Sequence, residues 1–148
     1  MKLQNNLYTI LSARPIGTLS QSEATERKTE GQKAKAEDPN YELCVIHYEL
    51  SLIEDCMIYK AHFPNNPITP GACIIQIAQE LYEQSCGHAV EITEVKNAKF
   101  LQPIRCSGEQ THINYQLSIA NCKFPKLQVV VSDDDAIYAK FSLVCKTV

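Results

Sequence analysis

The sequence predicts an α+β domain in which one buried helix accompanies an antiparallel sheet of five or more strands. Three observations carry this. The run Ala72–Cys86 (ACIIQIAQELYEQSC) places Ile74, Ile75, Ile77, Ala78, Leu81 and Tyr82 apolar on most faces, as in a helix covered by other structure. Extended runs rich in β-branched and aromatic residues lie on both sides of it. The chain has 148 residues, 45% of them hydrophobic, which suits one domain with a real core.

Each element has its own signal. Leu7–Ala13 (LYTILSA) is apolar, with strand and helix both open for it. Residues 17–40 are Ser, Thr, Glu, Lys and Gln-rich with almost no large apolar side chain, longer than an ordinary connection. They read as a mobile loop with solvated charges, and less readily as a lid. Tyr41–Ile53 alternates well enough for a strand, and Met57–Phe63 reads as a short extended piece. Pro70 and Gly71 start the helix and Gly87 is placed to end it. Glu91–Leu101 and Gln110–Ile119 are extended runs separated by a turn-rich link over 102–108. Leu127–Val131 and Ile137–Lys146 flank Ser132-Asp133-Asp134-Asp135, a hairpin signal. The last run places Ile137, Ala139, Phe141, Leu143 and Cys145 on one face and Tyr138, Lys140 and Ser142 on the other. The Asp133–Asp135 trio reads as a soluble turn, since other ligand positions of a calcium loop are missing. No metal site is expected.

Composition excludes several classes. A net charge of −3 argues against a nucleic-acid binder relying on bulk positive charge. No run approaches the ~18 apolar residues of a membrane span. The N-terminus lacks the apolar core of a signal peptide, so the cytoplasm is the default. The seven cysteines contain no CxxC pair and read as small buried hydrophobes in a reducing compartment. Cys73, two residues past Gly71, is a minor nucleophile candidate.

The most informative stretch is His62-Phe63-Pro64-Asn65-Asn66-Pro67-Ile68-Thr69-Pro70-Gly71. It sets one titratable base beside a proline-stiffened loop that ends at a helix N-terminus. There, free N–H groups and the helix dipole favour negative charge. The ordinary imidazole pKa of ~6.5 suits acid–base work at neutral pH. His47, His88 and His112 lack such context and read as structural or surface residues.

This segment resembles the active-site signature of the FabZ/FabA family, the 3-hydroxyacyl-acyl-carrier-protein dehydratases with the hot-dog fold. A His-Phe-Pro triplet leads through Pro67-Ile68-Thr69-Pro70-Gly71 into the central helix without a gap. Val95–Ile104 resembles that family's strand into a proline-containing turn, and 136–146 its closing strand. The short start and polar insert look more like the ApeI-like dehydratases of aryl-polyene and flexirubin-type pigment clusters. The resemblance covers roughly Tyr41 to the C-terminus. It implies one hot-dog domain over 1–148, an antiparallel sheet wrapped around one long central helix, with the insert at about 17–40.

The resemblance also implies chemistry. The substrate would be a thioester on the phosphopantetheine of an acyl carrier protein, with no further cofactor. The protein would be a homodimer, or a higher oligomer of dimers, with sheets joined across the interface and sites drawing on both subunits. His62 would be the base, its second ring nitrogen bonded to the Ile68 carbonyl. Gly71 would donate its amide to the thioester carbonyl, with Ala72, Ile68, Phe63 and Pro70 completing the oxyanion and substrate-binding set. The chain departs from the pattern at the second catalytic group. Where the family carries Glu or Asp stands Gln76, and one turn on, where it usually carries Gln, stands Glu80. An amide cannot accept and return a proton at neutral pH. Three mechanisms are open. His62 makes both transfers while Gln76 orients the hydroxyl or a water; or Glu80 supplies the acid from one turn deeper; or the chain is a non-catalytic subunit that binds acyl chains or the acyl carrier, or pairs with an active subunit. A hot-dog thioesterase is the runner-up enzyme. Lys60, Lys96, Lys99 and Arg105 are candidates for a basic rim facing the acidic carrier.

Overall fold

The structure, a computed structural model, describes residues 2–20, 42–63, 65–106, 112–121 and 124–148. Most of the polar insert, at 21–41, lies outside the described residues, as does Cys122. Six strands are formed: β1 (Tyr8–Ser20), β2 (Glu42–Leu52), β3 (Val90–Phe100), β4 (His112–Asn121), β5 (Lys126–Ser132) and β6 (Ile137–Thr147). They make one antiparallel sheet in the order β1-β2-β4-β5-β6-β3. Two helices lie between β2 and β3: α1 (Met57–Ala61) and the 16-residue α2 (Gly71–Cys86).

Side-chain alternation explains the sheet. Tyr48, Leu50 and Leu52 of β2, Ile113, Tyr115, Leu117 and Ile119 of β4, and Leu127, Val129 and Val131 of β5 are all buried. On β6 the buried row is Ala139, Phe141, Leu143 and Cys145. Ile74, Ile77, Ala78, Leu81 and Tyr82 of α2 join them in one core cluster. Gly87 ends α2 in the left-handed conformation, φ 80°, and its N–H donates to the Glu83 carbonyl at 2.9 Å.

Three local expectations need correction. Met57–Phe63 is not extended: it holds α1, whose single turn ends where the His62 N–H donates to the Ile58 carbonyl. Over so few residues neither period can be distinguished from the sequence, and the burial of Tyr59 decides the shape. The first apolar segment resolves as a strand, and it runs on through 17–20 into the stretch expected to be loop. At the β5–β6 hairpin Ile137 is exposed and Tyr138 buried. The Tyr138 hydroxyl donates to Asp133, whose other carboxyl oxygen accepts from the N–H groups of Asp135 and Ala136. The aspartates therefore build the turn.

The sheet has two edges, β1 and β3. On β3 only Val90 is buried, and all but Ile92 of the rest are exposed. Its register against β6 shifts between Ile92 and Glu94 and again between Lys96 and Lys99, where Asn97 takes φ 54°.

Tyrosines fix α2 to three neighbouring strands. Tyr115 of β4 donates to the Ile74 carbonyl at 2.9 Å, and Tyr48 of β2 to the Leu81 carbonyl at 3.1 Å. These two tyrosines face each other in register. Tyr8 of β1 donates to Oε1 of Glu80 at 3.0 Å. Glu80, only 7% exposed, also accepts from the Gln4 N–H at 2.9 Å on Oε1. Its Oε2 accepts from the Leu3 N–H at 2.8 Å and from Nε2 of Gln76 at 2.9 Å. Among the described residues no buried side-chain N or O lacks a partner.

Burial, joined by the charge and hydrogen bond of Glu80, raises the Tyr8 phenol far above its ordinary range. Burial likewise raises Tyr48, Tyr59 and Tyr115, and Tyr138 is pushed up to about 12. Groups whose folded pKa exceeds the unfolded 10.0 contribute stability below pH 10 and lose it as pH rises further. The urea midpoint is therefore expected to hold up to about that pH and fall steeply above it, with phenolate absorbance appearing only as the chain unfolds. Glu80→Gln leaves one accepting oxygen for four donors. At about 1–3 kcal/mol for each buried donor left unpaired, it should lower the unfolding free energy by about 2–4 kcal/mol in denaturant titration.

Candidate active site

The loop between α1 and α2 is held at several points by backbone groups. The His62 N–H is fixed to α1, and the His62 carbonyl accepts from the Ile68 N–H at 2.7 Å. Phe63 and Asn66 exchange N–H to carbonyl bonds at 3.2 and 3.0 Å. Ile68 pairs with Arg105 as an isolated antiparallel bridge, flanked by Thr69 N–H to Ile104 carbonyl at 2.9 Å and Cys106 N–H to Pro67 carbonyl at 3.2 Å. Beneath the loop the Tyr59 hydroxyl lies 2.8 Å from Oγ1 of Thr69, both residues buried. The Arg105 guanidinium donates to the Asn66 side chain on the outer side. Pro67 has no N–H and joins the ladder to 104–106 as an acceptor, so the donors of that ladder are Thr69 and Cys106.

This frame presents two reactive features. The His62 ring is exposed and meets the Phe63 ring edge-on, with centroids 5.8 Å apart, across a cis peptide bond. Pro70 is the N-cap of α2 with extended backbone (φ −61°, ψ 146°), and its carbonyl accepts from the Cys73 and Ile74 N–H groups. Among the described residues no side chain caps this helix start, which leaves the Gly71 and Ala72 N–H groups as its outward donors. Ala72 is exposed and Gly71 half-buried. A hypothetical Cβ on Gly71 would lie 3.3 Å from Cζ of Phe100, so that ring covers the helix start.

His62, Phe63, Ile68, Pro70 and Gly71 thus belong to one restrained unit. Gln76 and Glu80 form a second unit on α2. The link expected from the His62 ring to the Ile68 carbonyl is replaced by a backbone one: the two residues meet through Ile68 N–H and His62 carbonyl, and among the described residues no bond joins the ring to that carbonyl. A carboxylate offers about four lone-pair positions. The four donors on Glu80 match them, and they tie it to the N-terminal segment and to Gln76. An open cleft of about 410 Å³ lies at the far end of α2, between Lys2, Gln4, Glu83, Gly87 and His88, with Glu80 in its wall. It is remote from the His62 loop. It holds neither His62 nor the N–H groups at the start of α2.

Burial raises the Cys73 thiol and pushes Cys106 up to about 11, which weakens Cys73 as a nucleophile. Of the basic candidates, Lys96 pairs with Glu94 at 3.3 Å on the exposed β3, and Lys60 sits in the last turn of α1. The His88 ring Nδ1 lies 3.2 Å from the carbonyl of Ala89, and His112 is exposed on β4. Among the described residues no group of three or more His, Cys, Asp or Glu is placed to hold a metal ion, and no helix is long and apolar enough to cross a membrane. Sequence reasoning missed Tyr59, the strand tyrosines Tyr8, Tyr48 and Tyr115 that bond α2, and Phe100. None had a local signal, because each acts on a residue distant in the chain.

The arrangement can be set beside known proteins. Solved structures share the fold at low identity. A protein from Erwinia carotovora subsp. atroseptica superposes with TM-score 0.60 at 15% identity, covering 96% of both chains. A putative thioesterase, yhdA, from Lactococcus lactis gives 0.55 at 13% identity, over 72% of this chain and 83% of that one. The dehydratase heterocomplex ApeI:P from Xenorhabdus doucetiae gives 0.51 at 14% identity, over 92% and 99%. No curated protein matches the sequence. The ApeI-like family, described as ApeI dehydratase, matches residues 35–140. That match takes in the pinned loop, α2, strands β2 to β5 and the start of β6, and by it the chain belongs to the ApeI-like dehydratase family.

Proposed function

We propose that this chain dehydrates a 3-hydroxyacyl thioester, carried on the phosphopantetheine arm of an acyl carrier protein, to the trans-2-enoyl thioester. In this reading α2 is the central helix of a hot-dog domain. The observation that carries the proposal is the restrained loop, which presents an exposed imidazole and an uncapped helix start together. His62 removes the C2 proton. Charge then develops on the thioester oxygen, where the Gly71 and Ala72 N–H groups stabilise it. The C2–C3 double bond forms as the C3–O bond breaks, and the imidazolium returns its proton to the departing oxygen, which leaves as water.

Gln76 takes the place of the family's acid and orients the C3 hydroxyl. Its Nε2 is anchored on Glu80, so the amide has a fixed direction. Glu80 is a positioning residue in this reading, because donors already occupy both of its oxygens. One imidazole then serves as base and acid in turn.

A homodimer through β3 fits the charge pattern. Antiparallel pairing of two copies centred on Val95 sets Glu91 against Lys99 and Glu94 against Lys96. In the single subunit Glu94 and Lys96 pair within the strand, and Glu91 with Lys146 at 3.5 Å, all highly exposed. The acidic carrier would approach over Arg105 and Lys60. A heterodimer is the second reading, favoured by the missing acid at Gln76 and by the heterocomplex among the structural neighbours.

The decisive assay follows enoyl absorbance from 3-hydroxyacyl thioesters alongside free-thiol release. Enoyl formation without thiol is expected; thiol release without enoyl would make the chain a thioesterase. His62→Ala should lower kcat by about 10²–10⁴-fold. Gln76→Ala should lower kcat more than it raises KM. No turnover by the purified chain at any chain length, while it still binds carrier, would assign it to a non-catalytic subunit. For the assembly, the double variant E91K/E94K should run as a monomer in light scattering, and mixing it with K96E/K99E should restore a dimer. An E91K/E94K variant that stays dimeric would remove β3 as the joint.

A further inference from the structure

Phe100 is the last residue of β3, and its ring is 49% exposed although it lies against the start of α2. The contact is made by the outer rim of the ring. A Cβ built on Gly71 would lie 3.3 Å from Cζ, 3.5 Å from Cε1 and 3.6 Å from Cε2. The strand end behind the ring is held, because the Leu101 and Gln102 N–H groups both donate to the Tyr138 carbonyl, at 2.8 and 3.3 Å. In an α-helix the Cα–Cβ direction tilts toward the N-terminus, the same end to which the first N–H groups point. A ring whose nearest carbon lies 3.3 Å from that Cβ position therefore borders the side of the helix start on which the Gly71 N–H lies.

We infer that Phe100 sets substrate specificity at C2, with its ring forming the wall that excludes thioesters bearing a C2 branch. The inference rests on the reading above, in which Gly71 holds the thioester carbonyl. An oxygen bonded to that N–H sits about 2.9 Å from the nitrogen. The C2 carbon follows about 2.4 Å beyond the oxygen. The rim of the Phe100 ring is within the same few ångströms of the helix start, so a methyl group on C2 competes with it for space. An unbranched chain, with only hydrogen on C2, does not. The flat apolar wall also keeps water from one side of the developing oxyanion, which strengthens the N–H bonds to it.

The test compares 3-hydroxyhexanoyl-pantetheine with its 2-methyl counterpart, both epimers, on the full-length protein. The parent should prefer the unbranched thioester by about ten-fold or more in kcat/KM, the scale on which one methyl group is discriminated. Phe100→Ala should reduce that preference to within about three-fold while retaining turnover of the unbranched thioester. Phe100→Leu lacks Cζ and both Cε atoms, keeps an apolar side chain, and should relax the preference in the same direction if the alanine variant folds poorly. A preference unchanged in a folded variant overturns the proposal, as does a parent that takes both substrates equally. If the parent turns over neither thioester, the dehydratase reading fails separately. Calorimetric binding of the corresponding unreactive pantetheine amides then decides on Phe100 by the same ratio.

Discussion

The Glu80 carboxylate is the interaction on which the arrangement depends. Four donors from three parts of the chain converge on it: two backbone N–H groups of the N-terminal segment, the Tyr8 hydroxyl of β1 and the Gln76 amide of α2. In a low-dielectric interior such a network is strong when complete and costly when one member is missing. It sets the helix against one side of the sheet, and Tyr48 and Tyr115 extend the attachment to the next two strands. The axial position and rotation of α2 are therefore defined by polar groups inside an apolar core. The orientation of its first turn, where Gly71 lies, follows from that.

The end that carries His62 is built in a different way. There the chain uses backbone pairing, with the loop after His62 joined to residues 104–106 and supported underneath by Tyr59 and Thr69. A base and an oxyanion site separated by a flexible loop would lose most of the advantage of proximity. Here both ends of that loop are anchored, one to α1 and the other to the start of α2. Gln76, on the helix that follows this loop, is held by Glu80.

How much of this could be read from the residues depends on the range over which each signal acts. Helix α2 was legible because its punctuation is local, with Pro70-Gly71 before it and Gly87 after it. The β5–β6 hairpin was legible for the same reason; the His62–Gly71 register pointed to the FabZ/FabA dehydratases, and the short start and polar insert to the ApeI-like branch. Helix α1 was not, since one turn is too short for a period to show. The exchange of Gln76 and Glu80 was visible, but its meaning was not. The donors that occupy Glu80 come from residues 3, 4 and 8, and nothing in the order of the chain indicates that they return to α2. Phe100 likewise read as one more apolar residue of a strand.

The contact between Phe100 and Gly71 makes two distant positions share one volume. An alanine at 71 would place its Cβ 3.3 Å from Cζ of Phe100, so the half-exposed ring would have to give way by a few tenths of an ångström. Each larger side chain at 71 would need a larger displacement of the ring. Substitutions at these two positions are therefore expected to be coupled in free energy, as for residues that share one volume. A smaller residue at 100 leaves room for a larger one at 71.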